Sequence, residues 1–375
     1  MKLFDVYPLF PIEPVKAQGA YVYDKHGTEY LDFYGGHAVI SVGHSHPNYV
    51  QRIKNQLDNI AFYSNSVINN TQTELANKLG KLSGYQDYQL FLCSSGAEAV
   101  ENALKMASFQ NCKSKILAFE KAFHGRTSGA LQVTDSSKIK STFNGSITTE
   151  YLPLNDLEPV EQALEDGDVA GIIIEGIQGV AGIIEPSVEF LKGLRDLANK
   201  YGVVLILDEV QSGFGRTGDF FAHQHAGIKA DIITMAKGMG NGFPIGGIIL
   251  SPDFKASFGL LGTTFGGNHL ACTACSSVLD IIEEEELLKN AKKQGSYLIQ
   301  ELSKINSIET ITGRGLMLGI VVKGDGKALR SNLLTKHNIF TGGCANPSIL
   351  RLLPPMNITQ VECDKLINAI KTELA

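Results

Sequence analysis

The chain has 375 residues, 43% of them hydrophobic, with 39 glycines and a formal net charge of −6. That length supports a sizeable core and two or three domains, and mixed charge without a long basic run points away from nucleic acid and anionic membrane surfaces. No stretch approaches the ~20 apolar residues of a membrane-spanning helix, and MKLFDVYPLF lacks the apolar segment and cleavage site of a signal peptide, so a cytoplasmic location is expected.

In chain order, GAYVYDKHGTEYLDF (19–33) predicts a hairpin turning at His26-Gly27 and belonging to a smaller domain. HAVISVGHSHP (37–47) gathers His37, His44 and His46. Without a carboxylate at helical spacing it reads as a structural turn ending at Pro47, not as a metal site. Short β-branched runs follow: QLFL (89–92), KILAF (115–119), AGIIIE (170–175), VVLILDE (203–209), DIITMA (231–236) and GGIIL (246–250). Helical patterns lie between several of them, as in EAVENALKMASF (98–109) and VEFLKGLRDLANKYG (188–202). Strands apolar on both faces and joined by helices predict an α/β core with a mostly parallel sheet. HLACTACSSVLDII (269–282) carries Cys272 and Cys275, the one pair among six cysteines with metal or redox spacing. With no second pair nearby, both thiols are expected inside a small-residue helix, and no metal site is expected. The charged amphipathic stretch 278–305, then GRGLMLGIVVKG (313–324) and TQVECDKLINAIKTEL (359–374), predict a smaller α+β domain. The expected division is 1–50 (contributing to the small domain), 51–275 (large domain) and 276–375 (small domain).

In such a sheet, chemistry collects at the carboxyl ends of the strands. After QLFL, Ser95-Gly96-Ala97-Glu98 fits a capping box, and the free N–H groups of the helix start favour an anion such as phosphate; taken alone, an ordinary capped helix is the commoner reading. After VVLIL, the acids Asp208 and Glu209 need a cation or polar partners. Asp208 suits the protonated ring nitrogen of a pyridine cofactor, or one of these carboxylates caps the next turn or pairs with Arg216. After KILAF, Phe123 suits a stacked planar ring and Arg126 a two-pronged carboxylate contact, although an arginine in a Gly-flanked loop often faces solvent. Lys237 ends an apolar run, where desolvation lowers the amine pKa and favours Schiff-base chemistry. Gly213-Phe-Gly215-Arg-Thr-Gly218 matches a dinucleotide-binding fingerprint, but DEVQS separates it from the strand and no good helix follows, which disfavours a nicotinamide-dependent dehydrogenase.

Together these residues resemble the class III aminotransferases (ornithine, acetylornithine and GABA) of the pyridoxal-phosphate-dependent fold type I. The resemblance covers nearly the whole chain, through SSGAEAVENALKMA, AFHGRTSGAL, EGIQGVAGI, LILDEVQSGFGRTG, DIITMAKGMGNGFPIGG, GTTFGGNHLAC and LRLLPPMNIT. It implies an α/β fold of a large domain with a mostly parallel sheet plus a smaller α+β domain, and pyridoxal 5′-phosphate as cofactor. Lys237 would bind the cofactor covalently and then shuttle a proton. Asp208 would hold the ring nitrogen, Val210 pack beneath the ring, Gln211 meet the ring hydroxyl and Phe123 stack on the other face. Gly96 and Ala97, with Ser95 at the cap beside them, would hold the phosphate, joined by Thr264 from a second subunit of a homodimer. Thr263 would lie near substrate, Arg126 would grip the distal substrate carboxylate, and Arg351 the α-carboxylate of glutamate. The best-matching activity is transfer of the δ-amine of N-acetylornithine, or N-succinylornithine, to 2-oxoglutarate in arginine biosynthesis. Ornithine δ-aminotransferase, GABA aminotransferase and a non-catalytic pyridoxal-phosphate-binding protein are the alternatives.

Two positions depart from the family's EPIQGEGG: Gly176 replaces proline and Val180 replaces glutamate. That glutamate often pairs with the arginine matching Arg351. Its loss predicts either another anion beside Arg351, an acidic acyl group on the donor, or a wetter pocket.

Overall fold

The computed structural model describes residues 1–145 and 147–375. Three short strands open the chain, β1 (Pro14–Gln18), β2 (Tyr21–Asp24) and β3 (Glu29–Asp32), paired antiparallel. The turn between β2 and β3 is made by Asp24, whose Oδ1 accepts from His26 N and Thr28 N at 2.9 Å each. Gly27 completes it with φ +84°, a conformation that side chains resist.

Seven strands build the central sheet: β4 (Gln89–Cys93), β5 (Lys115–Phe119), β6 (Thr149–Leu152), β7 (Val169–Glu175), β8 (Val204–Asp208), β9 (Ile232–Met235) and β10 (Gly246–Leu250). Their order is β4-β10-β9-β8-β7-β5-β6, and only β10 runs against its neighbours. The expected mostly parallel α/β sheet is therefore present. Strands β7 to β10 are buried along their whole length, which explains their unbroken apolar sequences. Fully buried side chains such as Ile172, Ile173 and Ile206 each stabilise the fold by roughly 1.5–3 kcal/mol. The edge strand β6 is absent from the sequence prediction because TEYL buries only its last residue.

Beyond the sheet, the charged stretch 278–305 is not one helix. It breaks between His269–Glu284 and Leu287–Leu302, with Glu286 in the left-handed region at φ +51°. A second sheet joins β11 (Ile308–Arg314), β12 (Met317–Val322), β14 (Gly342–Gly343) and β15 (Ile349–Leu352) in the order β11-β12-β15-β14. Between them β13 (Ile339–Phe340) leaves this sheet and pairs in parallel with β3, Ile339 opposite Leu31. The first and last parts of the chain thus share a sheet.

All six cysteines are free, and Cys272 and Cys275 are buried in the helix His269–Glu284 as expected. No helix among the described residues is long and apolar enough to cross a membrane.

Candidate active site

Five strands of the central sheet end at one cavity of about 320 Å³. Ser95, Gly96, Ala97, Phe123, Asp208, Val210, Gln211 and Lys237 all line it, together with Glu175 and His124. Topology places them there: β4, β5, β7, β8 and β9 run parallel, so their carboxyl ends face the same side.

After β4, Ser95 caps the helix Gly96–Asn111, its Oγ accepting from Glu98 N at 3.3 Å. The reciprocal half of the box is shifted by one residue, since Glu98 Oε2 accepts from Ser94 N at 2.7 Å rather than from the cap itself. Oriented N–H groups at this start form an anion site facing the cavity. Position 96 excludes a side chain for another reason: a Cβ would lie 2.8 Å from Val210 Cγ1.

Asp208 ends β8, 4% exposed. Its Oδ1 accepts from Val210 N and Thr234 Oγ1 at 3.0 Å each, and its Oδ2 lies 2.6 Å from His124 Nδ1. It does not pair with Arg216. The opposite ring nitrogen of His124, Nε2, is buried without a partner, as is Gln211 Oε1. Both are polar atoms awaiting a group that the protein itself does not supply. His124 was not recognisable by spacing, because Phe123 and Arg126 dominate its motif.

Beside Asp208, in register on β7, stands Glu175. Its Oε1 accepts from Phe123 N at 3.0 Å and its Oε2 from Gly179 N at 2.9 Å. Burial pushes its carboxyl up to about 7, against the opposing pull of His124. The signal that singles out Asp208, an acid closing an apolar run, was present for Glu175 as well.

Glu209 proves to be structural. Its carboxylate accepts from Ser212 Oγ at 2.6 Å and from Ala222 N and His223 N at 3.0 and 2.9 Å, and lies 2.7 Å from His223 Nδ1. Tyr85 Oη closes the network 2.7 Å from His223 Nε2. Gly176 follows from this packing, since a Cβ there would come within 2.7 Å of Glu209 Oε1. Arg216 is fully buried without an acid: Nη1 donates to Pro354 O and Leu316 O at 2.7 and 3.2 Å, and Nη2 to Ile40 O at 3.2 Å. Burial lowers its pKa to about 10. The glycines around it form turns rather than a dinucleotide-binding helix start.

Lys237 opens a single 3-10 turn just after β9, with φ +46°. Left-handed backbone costs a non-glycine residue roughly 1 kcal/mol, and here the surroundings impose it. Met239 N donates to Ala236 O and Gly240 N to Lys237 O, both at 3.0 Å. The buried Asn241 ties the turn to the N-terminal segment, Oδ1 accepting from Ser41 N at 2.8 Å and Nδ2 donating to Gly43 O at 2.9 Å. Desolvation lowers the lysine pKa, opposed by Asp208 and Glu175. A nucleophilic neutral amine is therefore more accessible than for a free lysine.

The remaining expected site residues stand at or beyond the rim. The Arg126 guanidinium lies over the Phe123 ring, 5.2 Å from its centroid. Arg351, 5% exposed on β15, donates from Nε to Gly343 O at 2.8 Å and from Nη1 to Gly179 O at 2.9 Å. Neutral carbonyls, not another carboxylate, thus take the place left by Val180. Thr263 Oγ1 accepts from Gly266 N at 3.0 Å, and Thr264 is exposed; neither lines the cavity within one chain. The three histidines of 37–46 diverge to separate partners, His44 to Asp32 and His46 to Glu285 at 2.8 Å each, and His37 to Tyr34.

An anion-binding helix start, a buried carboxylate, an orphaned amide oxygen and a desolvated amine around one cavity fit a phosphorylated pyridine aldehyde. The profile of the class-III aminotransferase family matches residues 5–374. The chain is 41% identical over 360 residues to acetylornithine aminotransferase of Archaeoglobus fulgidus, covering 94% of this chain and 92% of that one. It is 38% identical to acetylornithine aminotransferase of Bacillus subtilis, covering 100% and 97% of the two chains. Among solved structures, ornithine aminotransferase of Toxoplasma gondii superposes with TM-score 0.91 at 28% identity, over 98% of this chain and 91% of that one. Acetylornithine aminotransferase of Elizabethkingia anophelis gives 0.85 at 28% identity, over 98% and 95%.

Proposed function

The chain belongs to the class-III aminotransferases, and from that premise we propose that it moves the δ-amine of an Nα-acylated ornithine to 2-oxoglutarate with pyridoxal 5′-phosphate as cofactor. The observation that carries the reading is the Lys237 amine in a cavity floored by the Asp208–His124 pair, with Arg126 and Arg351 at its rim. When bound, the cofactor supplies an electron sink that makes the carbon bearing the amine acidic.

The protein's own residues do the rest. Gly96 and Ala97 hold the phosphate through backbone N–H groups at the helix start capped by Ser95. Asp208 would hold the ring nitrogen, and His124 keeps Asp208 oriented. Phe123 and Val210 would pack against the ring, and Gln211 Oε1, which has no partner in the protein, would accept from its hydroxyl. Lys237 would hold the cofactor covalently through its desolvated amine, and the same amine, when free, is the base placed to take the proton of the substrate's amine-bearing carbon and give it back. Arg126 binds the donor's carboxylate away from the reacting amine and Arg351 the α-carboxylate of glutamate or 2-oxoglutarate.

The partner chain in this reading is a second copy. Thr264 lies outside its own cavity, and it completes the phosphate site of the opposite subunit in a homodimer, with Thr263 near substrate. The chain divides into 1–50 with the small domain, 51–275 as the cofactor-binding domain and 276–375 as the small domain. It acts in the cytoplasm, in arginine biosynthesis.

Lys237→Ala tests the core of the reading. The wild-type protein is expected to bind pyridoxal phosphate with visible absorbance and to release glutamate from N-acetylornithine and 2-oxoglutarate; the variant is expected to lose both. A wild-type protein that stays colourless with added cofactor overturns it.

A further inference from the structure

Glu175 is a buried acid of the cavity to which neither cofactor binding nor proton transfer gives a role. It closes β7 in register with Asp208 on β8 and is 6% exposed. Its two oxygens serve different loops. Oε1 accepts from Phe123 N, in the loop after β5, and Oε2 from Gly179 N, in the loop after β7. An ionised carboxylate suits this position because it offers acceptors on both oxygens and no donor. An amide of the same shape has one acceptor oxygen and turns N–H groups toward the second backbone donor.

Each of these loops carries groups that face the cavity or hold those that do. Phe123 lines the cavity, and the next residue, His124, supports Asp208 through Nδ1 at 2.6 Å. On the other side, the Gly179 carbonyl accepts from Arg351 Nη1 at 2.9 Å. Gly179 also abuts Gln211, since a Cβ at 179 would fall 1.8 Å from Gln211 Oε1. A second tie, Gln178 Nε2 donating to Glu120 O at 2.9 Å, joins the same two loops independently of Glu175. The loops thus have a connection of their own, and the Glu175 carboxylate adds a specific placement of two backbone N–H groups.

We propose that Glu175 is a positioning residue whose two oxygens, on Phe123 N and Gly179 N, set from one side chain both the aromatic wall of the cofactor site and the carbonyl that aims Arg351 at the acceptor's carboxylate. The proposal rests on the roles given above to Phe123 and Arg351 and deepens them. Losing the bond to Phe123 N lets the loop that carries the ring and His124 drift, which weakens the cofactor site. Losing the bond to Gly179 N frees the carbonyl that orients Arg351 Nη1, so the guanidinium must be ordered again when the acceptor binds. Both bonds run from backbone N–H to carboxylate, the charge-assisted kind that is stronger than a neutral pair.

The test measures two constants at pH 8, where the Glu175 carboxyl, which burial makes titrate at about 7, is ionised. One is the dissociation constant of pyridoxal phosphate from absorbance titration of the cofactor-free protein; the other is KM for 2-oxoglutarate at saturating cofactor. Glu175→Ala is expected to raise each about tenfold, one charge-assisted hydrogen bond apiece, with a smaller change in kcat. In an Arg351→Lys background the same substitution is expected to add less than about twofold to KM, because the group it acts through is gone, yet still to weaken cofactor binding about tenfold. If Glu175→Ala does not fold by circular dichroism, Glu175→Gln takes its place and, with one acceptor oxygen, is expected to raise at least one of the two constants. A folded variant with both constants at the wild-type values overturns the proposal, as does a full tenfold rise in KM on the Arg351→Lys background. A wild type that passes no amine to 2-oxoglutarate overturns the underlying reading of Arg351 and that half of the proposal; cofactor affinity unchanged by Glu175→Ala then overturns the other half.

Discussion

His124 Nδ1 lies 2.6 Å from Asp208 Oδ2, and neither side chain reaches solvent. Asp208 therefore has a fixed orientation, with Val210 N and Thr234 Oγ1 on its other oxygen. His124→Phe removes one charged hydrogen bond of three. Such a bond is worth about 1.5–3 kcal/mol, so cofactor affinity by absorbance titration is expected to fall roughly 10- to 100-fold. The KM for the donor is expected to move little, because His124 touches no substrate group. A variant binding cofactor as tightly as wild type would show that Asp208 needs no such support.

Glu175 gives the cofactor-free protein a distinctive response to pH. Its carboxyl titrates near 7 when folded, against 4.5 for an ordinary glutamate. Between those values the folded state binds more protons than the unfolded chain, so this group's stabilising contribution is complete below about pH 4.5 and is lost as pH rises through about 7. On the order of 3 kcal/mol of that contribution is gone by neutral pH. Glu175→Gln keeps the side-chain shape without ionising. Denaturant unfolding at pH 5 and pH 8 is expected to show a smaller loss of stability in the variant; parallel losses would place the titration elsewhere.

Much of the site could be read before the fold was known. Apolar runs bounded by glycines and acids marked six of the seven central strands: β5 and β7 to β10 because burial leaves almost no polar position to confuse the pattern, and the edge strand β4 through QLFL although its first three residues are not buried. The exposed edge strand β6 lacked that signature. Lys237 and Asp208 stood out as charged residues closing buried strands. Glu175 carried the same mark but had no chemistry attached to it. His124 and Asn241 act through partners 84 and 200 residues away in sequence, and no local spacing encodes such contacts. His37 looked like part of a turn, which it is, and its carbonyl accepts from Gln211 Nε2, 174 residues away in sequence. Thr264 is exposed in the single chain, and the role proposed for it needs a second copy.

The adjacent acids Asp208 and Glu209 have opposite duties, which mutation can separate. Glu209 is fully buried and satisfied by Ser212, two backbone N–H groups and His223. Removing one partner of a buried polar network costs about 3–5 kcal/mol. Glu209→Ala is expected to lower the melting temperature sharply, while the protein that remains folded keeps its KM for both substrates. Asp208→Ala is expected to abolish turnover in the protein that remains folded, a loss that Glu209→Ala does not share. Equal damage to turnover in both would contradict the division of labour.

Val180 stands where the resembled pattern EPIQGEGG has glutamate, and its effect on the acceptor can be measured directly. It lines the cavity, next in sequence to the Gly179 carbonyl that holds Arg351 Nη1 at 2.9 Å. A carbonyl orients the guanidinium without cancelling its charge, so Arg351 is open to a carboxylate in both halves of the reaction. Val180→Glu would set a competing anion beside it. The KM for 2-oxoglutarate is expected to rise roughly tenfold, the scale of a charge-assisted hydrogen bond that the acceptor must displace. Val180→Gln, of the same length but uncharged, is expected to leave that KM within about twofold, since a neutral amide adds no charge competition. If both variants raise KM alike, bulk rather than charge governs the pocket, and Arg351 owes its availability to something other than the missing acid.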